Sequence, residues 1–238
     1  MKPLIVAALI LGAARAIAMD PATVEQTTSV AELFPPRQVA SLSRTLGPER
    51  RIVFRVRMPP GPGPHGVLVF VGPRDDAEPR EDWPEVLEQR DLIWISAEGF
   101  GNDKPSAQRV LVALMALKHL QRTVALDRAR LYVGGMSGGG RIASQALVRF
   151  PGFFSGALCI VGADFLVPEP QLVPDLADKR VVFVTGDGDF NRREMHSVYT
   201  RFIDAGVTRS YLLDLPDFGH EYPDSTDFDA ALDLLDRR

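Results

Sequence analysis

The sequence predicts an α/β fold in which helices cover both faces of a mostly parallel sheet. Short apolar runs of strand length recur along the chain and alternate with segments of helical character. Continuous apolar runs are typical of strands that are buried on both faces, as in parallel sheets. The runs lie at residues 67–71, 92–95, 131–133, 156–161, 179–185 and 210–215, and helical segments occupy 83–89 and 107–122.

A strand of a different kind is predicted at residues 51–58. Apolar residues alternate there with arginines, which is the period-2 pattern of a strand with one face in solvent. The Pro/Gly-rich residues 59–64 end this strand. Residues 19–50 are polar and interrupted by prolines, which predicts an irregular leader, and we expect the folded domain to span residues 51–238.

A serine flanked by glycines links the strand at 131–133 to a helix. Residues 135–139 read Gly-Met-Ser-Gly-Gly, which matches the Gly-x-Ser-x-Gly pattern of a nucleophile elbow. The tight turn would present the Ser137 hydroxyl above the sheet. The helix that begins at Gly138 would direct its free N–H groups toward an oxyanion formed there. The pattern therefore predicts acyl transfer with Ser137 as nucleophile and the Gly138 N–H as an oxyanion donor.

The same glycines admit other interpretations. Gly138-x-Gly140-x-x-Ala143 satisfies a loose dinucleotide-binding pattern, with Asp164 as a possible ribose ligand. A structural glycine-rich turn is another alternative. A phosphate-binding loop is excluded, because no Gly-Lys-Ser/Thr follows.

Two later loops contain the partners that a serine nucleophile needs. The strand at 179–185 runs into a loop with Asp187 and Asp189, and the strand at 210–215 is followed by a loop with His220. The carboxyl ends of parallel strands meet at one edge of the sheet, so these side chains should lie near Ser137. A neutral imidazole can take the serine proton, and a carboxylate can orient that imidazole.

The choice between the two aspartates is open from the residues alone, and the spacing Gly186-x-x-Asp189 favours Asp189. Residues 187–191 also match the start of a calcium-binding loop. That motif fails further on, because Arg192 and Val198 stand where glycine and glutamate are required.

The remaining histidines and the single cysteine predict no second site. His65 lies in a turn, and His119 and His196 lie in helical segments. Cys159 falls within an apolar strand pattern and is expected in the core. No metal site or cofactor is expected.

The first residues resemble an export signal. Lys2 precedes an apolar stretch at residues 4–12, and Ala16-Ile17-Ala18 matches a cleavage site. We therefore expect residues 1–18 to be removed and the protein to be secreted or periplasmic, without integral membrane association. The net charge of −4 argues against nucleic acid as a partner.

From about Asn102 to Pro223 the chain resembles the secreted polyhydroxybutyrate-depolymerase-like and feruloyl-esterase-like α/β-hydrolases. The shared pattern includes residues 127–141, Phe150-Pro151-x-x-Phe154-x-Gly156 and the Gly-x-x-Asp and Gly-His elements. The resemblance implies the α/β-hydrolase fold and a serine carboxylesterase that needs no cofactor. It implies Ser137, Asp189 and His220 as the catalytic residues and an ester, small or polymeric, as the substrate.

One segment departs from the family pattern. Members of this fold usually have His-Gly after the third strand, where the second oxyanion donor lies, but this chain has Gly72-Pro73-Arg74. Proline has no N–H, so we expect the main chain of Arg74 to donate, with the Gly72 N–H as the less favoured alternative. A slow or degenerate hydrolase with a binding role, or a serine peptidase of the same fold, are the alternatives. Residues 163–179 would form a short, apolar lid.

Overall fold

A computed structural model describes residues 23–48, 50–76, 78–165 and 174–237. The strands are β1 (Val24–Thr28), β2 (Ile52–Arg57), β3 (His65–Val71), β4 (Leu92–Ala97), β5 (Leu126–Met136), β6 (Gly156–Ile160), β7 (Arg180–Gly186) and β8 (Ser210–Leu215). The helices are α1 (Val30–Leu33), α2 (Pro36–Leu46), α3 (Pro84–Gln89), α4 (Ser106–Thr123), α5 (Gly138–Arg149), α6 (Arg192–Asp204) and α7 (Ser225–Asp236).

The eight strands form one sheet in the order β1-β2-β4-β3-β5-β6-β7-β8. The strands from β3 to β8 pair in parallel, whereas β2 pairs antiparallel with both β1 and β4. The predicted mostly parallel sheet is thus confirmed. From β3 the chain goes to β4 on one side and then returns to β5 on the other, so the strand order reverses between β3 and β5. Ligand sites of open α/β sheets form at the carboxyl ends of the strands at such a point.

Two apolar layers enclose the sheet. On one face, the apolar sides of α1, α2, α4, α5 and α6 pack against the strands. The other face is covered by α3 and α7, where Trp83 and Phe228 stack with ring centroids 3.9 Å apart. Because both faces are covered, the central strands contain continuous buried apolar runs, as the sequence predicted. Cys159 is fully buried in β6, and this burial raises the pKa of its thiol.

The prediction of an irregular leader at 19–50 is wrong for residues 23–48. These residues form β1, α1 and α2 and belong to the domain. Ser29 and Glu32 form a reciprocal capping box at the start of α1, and Val30 is fully buried. Short helices and an edge strand escape prediction because each gains its stability from the larger domain and little from its own sequence.

Parts of two other predictions lie outside the described residues. These are the export signal at 1–18 and residues 166–173 of the expected lid. Of the remaining lid residues, Pro174–Leu176 form a 3₁₀ turn with Leu176 buried. Within the part of the chain that the structure describes, no helix is both long enough and apolar enough to cross a membrane.

Candidate active site

Ser137 occupies the sharp turn between β5 and α5. Its backbone has φ 55° and ψ −121°, a conformation that costs a residue with a side chain about 1–3 kcal/mol. The surroundings impose it: the Ser137 N–H donates a 2.8 Å hydrogen bond to the carbonyl of Ile160 at the end of β6. The hydroxyl is thereby held at the carboxyl edge of the sheet, as the elbow pattern predicted.

The first turn of α5 packs directly against the end of β3. A Cβ atom at Gly139 would lie 1.7 Å from the carbonyl oxygen of Val71, so only glycine fits there. This close approach sets the loop after β3 beside the N-terminus of α5. Gly138 is the first residue of α5, and helices provide no internal acceptor for an N–H at that position.

Asp189 is the carboxylate that faces the imidazole. Its side chain is wholly buried, and Oδ1 lies 2.8 Å from His220 Nδ1. Thr185 Oγ1 donates to Oδ2 at 2.7 Å, and the Asn191 N–H donates to Oδ1 at 3.0 Å. Asp187, the alternative, is exposed to solvent. The arrangement fixes the Asp189 carboxylate in one orientation toward His220.

His220 lies between the carboxylate and the serine. Its Nε2 is 2.9 Å from Ser137 Oγ. A carboxylate only accepts hydrogen bonds, so Nδ1 carries the proton and Nε2 is free to accept from the serine hydroxyl. The acid and histidine loops are joined directly, because the Gly188 N–H donates to the Phe218 carbonyl at 3.1 Å. The structure therefore brings the three predicted side chains, Ser137, Asp189 and His220, into one hydrogen-bonded row.

The other predicted oxyanion donor, Arg74, lies in the loop after β3. Its side chain is 73% exposed and pairs with Asp76 at 3.1 Å, so the guanidinium points away toward solvent. The Pro73 carbonyl accepts a 2.9 Å hydrogen bond from the Asn102 N–H. This bond ties the loop to the segment after β4.

The residues considered for other roles have partners elsewhere. Asp164 and Glu194 both bind the Arg141 guanidinium. The hydrogen bond with Glu194 contributes most to raising the pKa of that guanidinium, and the bond with Asp164 raises it further. The other histidines are paired with different side chains: His65 with Asp91, His119 with Gln26 and His196 with Asp214.

No protein-family model and no curated protein sequence matches the chain. Solved structures do match it. The feruloyl esterase module of Clostridium thermocellum, complexed with sinapinate, has a TM-score of 0.62 at 11% identity, covering 91% of this chain and 89% of that one. S-formylglutathione hydrolase of Staphylococcus aureus has a TM-score of 0.61 at 12% identity, covering 90% and 96%. The chain has the α/β-hydrolase fold.

Peptidases share this fold as well. Acylaminoacyl peptidase of Pyrococcus horikoshii gives a TM-score of 0.58 at 12% identity over 72% of the present chain. The present chain spans only 36% of the length of that peptidase, and 35% of the length of a dipeptidyl aminopeptidase IV of Bacteroides ovatus that it also matches.

One buried residue of the candidate site was not predicted. Arg109 of α4 is 5% exposed, and its four acceptors are all neutral oxygens. Its guanidinium donates to the carbonyls of Gly72 at 2.9 Å, Phe100 at 3.1 Å and Gly138 at 3.4 Å, and to Asn102 Oδ1 at 3.0 Å. Burial lowers its pKa. Arg109 thus joins the loops after β3 and β4 to the start of α5. In the sequence, the only feature that could have indicated this role is a charged residue at the start of an apolar helical run.

Proposed function

We propose that this α/β-hydrolase is a serine carboxylic-ester hydrolase that works through an acyl-enzyme. The observation that supports this most directly is the row from Ser137 Oγ to His220 Nε2, 2.9 Å, and from His220 Nδ1 to Asp189 Oδ1, 2.8 Å. In this proposal His220 takes the serine proton as Oγ attacks the ester carbonyl, and then gives that proton to the leaving alcohol. Asp189 stabilises the imidazolium and holds its orientation.

The developing oxyanion would be bound by two main-chain N–H groups, those of Gly138 and Arg74. The N-terminus of α5 supports the first, because its dipole favours negative charge there. The packing of Gly139 against Val71 supports the second, because it holds the loop after β3 against that same turn. Water then attacks the acyl-enzyme with His220 as base and releases the acid.

An ester is favoured over a peptide by the resemblance of residues 102–223 to the polyhydroxybutyrate-depolymerase-like and feruloyl-esterase-like hydrolases. The peptidases among the structural neighbours make peptidase activity the competing proposal. Hydrolysis of 4-nitrophenyl butyrate and of an aminoacyl 4-nitroanilide should be compared on the same protein. Faster turnover of the anilide would favour the peptidase.

Ser137→Ala is the direct test. We expect it to abolish labelling by a fluorophosphonate probe and to lower ester turnover on the order of 10⁶-fold, the scale known for such triads. The thermal midpoint should change little, because the half-buried hydroxyl adds little to packing. Activity retained by this variant, or a wild-type protein that neither labels nor hydrolyses, would contradict the proposal and favour a binding role.

We also propose that the protein is exported and that residues 1–18 are removed. The sequence features at residues 2–18 support this. Amino-terminal sequencing of the protein from its native host should begin at Met19. A sequence that begins at Met1 would contradict export through this signal.

A further inference from the structure

Phe190 is an exposed aromatic residue next to the candidate catalytic acid. Among the described residues, the large apolar side chains that are exposed are Val24 at 45%, Phe150 at 38% and Phe190 at 78%. An exposed phenyl ring loses the hydrophobic stabilisation that burial would give, roughly 1.5–3 kcal/mol. What distinguishes Phe190 from the other two residues is its contact with the candidate catalytic histidine.

The ring of Phe190 lies flat against His220. The two ring centroids are 4.0 Å apart and the planes differ by 23°. Both chain neighbours of Phe190 are anchored: Asp189 is buried and hydrogen-bonded, and Asn191 Nδ2 donates to the Val161 carbonyl at 2.8 Å. The exposed ring is thus held over one face of the imidazole by its neighbours.

The chemistry of acyl transfer identifies which part of a substrate meets this ring. His220 must protonate the leaving-group oxygen, so that oxygen has to come within about 3 Å of Nε2. The carbon skeleton attached to it then begins beside the imidazole, on which Phe190 lies. The reacting carbon itself bonds to Ser137 Oγ, and its carbonyl oxygen faces the oxyanion donors. The acyl chain therefore leaves that carbon in a different direction from the alcohol.

We propose that Phe190 is the residue that selects the alcohol portion of the ester, favouring apolar and especially flat alcohols. This inference rests on the proposed ester hydrolase activity. A flat apolar group can pack on the free face of the ring and bury surface that is now in water. The ring takes no part in proton transfer itself.

Reactions of the acyl-enzyme can distinguish selection of the alcohol by Phe190 from a role of Phe190 in positioning His220. The alcohol departs with the proton from Nε2, so it is absent when water attacks. The reverse of that departure can be measured directly: an added alcohol gives its proton to Nε2, its oxygen bonds to the acyl carbon, and Ser137 leaves with that proton. Capture by alcohol and capture by water thus use the same imidazole, but only the alcohol has a carbon skeleton that can pack on the Phe190 ring.

The experiment forms a butyryl-enzyme from 4-nitrophenyl butyrate and offers it benzyl alcohol, 2-methoxyethanol or water alone. Chromatography then measures benzyl butyrate, methoxyethyl butyrate and butyric acid. We expect wild type to prefer benzyl alcohol, and Phe190→Ala to lower the ratio of benzyl to methoxyethyl product by about tenfold, since it removes one aromatic contact and its buried area. Phe190→Leu, which keeps apolar surface without a ring, should give an intermediate ratio.

Phe150→Ala is the matched control, because Phe150 is also exposed but lies at the far end of α5 from Ser137. It should keep the wild-type ratio. An unchanged ratio in Phe190→Ala would overturn the inference, as would an equal fall in all three rates, which would make Phe190 a positioning residue for His220. A wild-type protein that forms no butyryl-enzyme would overturn the proposed function, and the inference with it.

Discussion

Two aspartates stand two residues apart in the loop after β7, and their environments differ sharply. Asp189 is buried and accepts hydrogen bonds from Thr185 Oγ1, the Asn191 N–H and His220. Asp187 is exposed to solvent. If Asp189 orients His220, its carboxylate also selects the tautomer with the proton on Nδ1.

We therefore expect Asp189→Asn to lower kcat on the order of 10⁴-fold, because an amide can donate to Nδ1 and favour the wrong tautomer. Asp187→Asn removes the same charge from the same loop and should lower kcat far less. Steady-state hydrolysis of 4-nitrophenyl butyrate by both variants measures the difference. Equal, modest losses would contradict the assignment of Asp189.

At the scale of elements, the site depends on how the end of β3 meets the start of α5. The Gly139 and Val71 backbones are in contact, and Arg109 donates to Gly72 and Gly138 on the two sides of that contact. The loop after β3 is thereby fixed beside the serine even though Pro73 cannot donate a hydrogen bond.

This arrangement leads to a prediction for Arg74. Its side chain is exposed, so Arg74→Ala should keep most of the turnover. Arg74→Pro removes the main-chain N–H and should lose about 10²–10³-fold in kcat if that group binds the oxyanion. Both variants should be assayed with their thermal midpoints, since proline can also distort the loop. If both variants keep most of the turnover, the Arg74 N–H does not bind the oxyanion.

At the scale of the whole molecule, residues 23–48 complete one face of the domain. Val30, Leu33, Phe34 and Leu46 are buried in the same apolar layer as α4. Lys118 of α4 lies over the Phe34 ring, with Nζ 5.3 Å from its centroid. Without this segment, part of the apolar surface of α4 would face water.

Phe34→Ala should therefore lower the free energy of unfolding by about 3 kcal/mol, the low end for a buried phenylalanine, because the ring lies near the surface of the layer. Urea denaturation measures the change. Val24→Ala, in the exposed part of β1, is the control and should change stability by no more than about 0.5 kcal/mol. If the two variants lose equally little free energy of unfolding, residues 23–48 do not contribute to the stability of the core.

Contiguous patterns were sufficient to predict most of the elements. The apolar runs of β3, β4, β6, β7 and β8 and the elbow before α5 each lie within about ten residues, so their signals are local. The helix α7 was not predicted, although Phe228, Ala231, Leu232 and Leu235 recur at helical spacing and are buried. The Ser29-x-x-Glu32 capping box was a similar local signal for α1.

The type and order of the central elements could be predicted from the sequence, and so could the serine, acid and histidine of the candidate site, because these depend on local spacing and on the order of the strands. The contact of His220 with Asp189, and not with Asp187, becomes visible only in the assembled fold, since the two residues lie 31 positions apart in the chain. The tertiary structure alone also revealed the buried Arg109 and the Phe190 ring on His220. Each of these contacts joins segments that meet only when the sheet assembles, and no period or spacing in one segment encodes its partner.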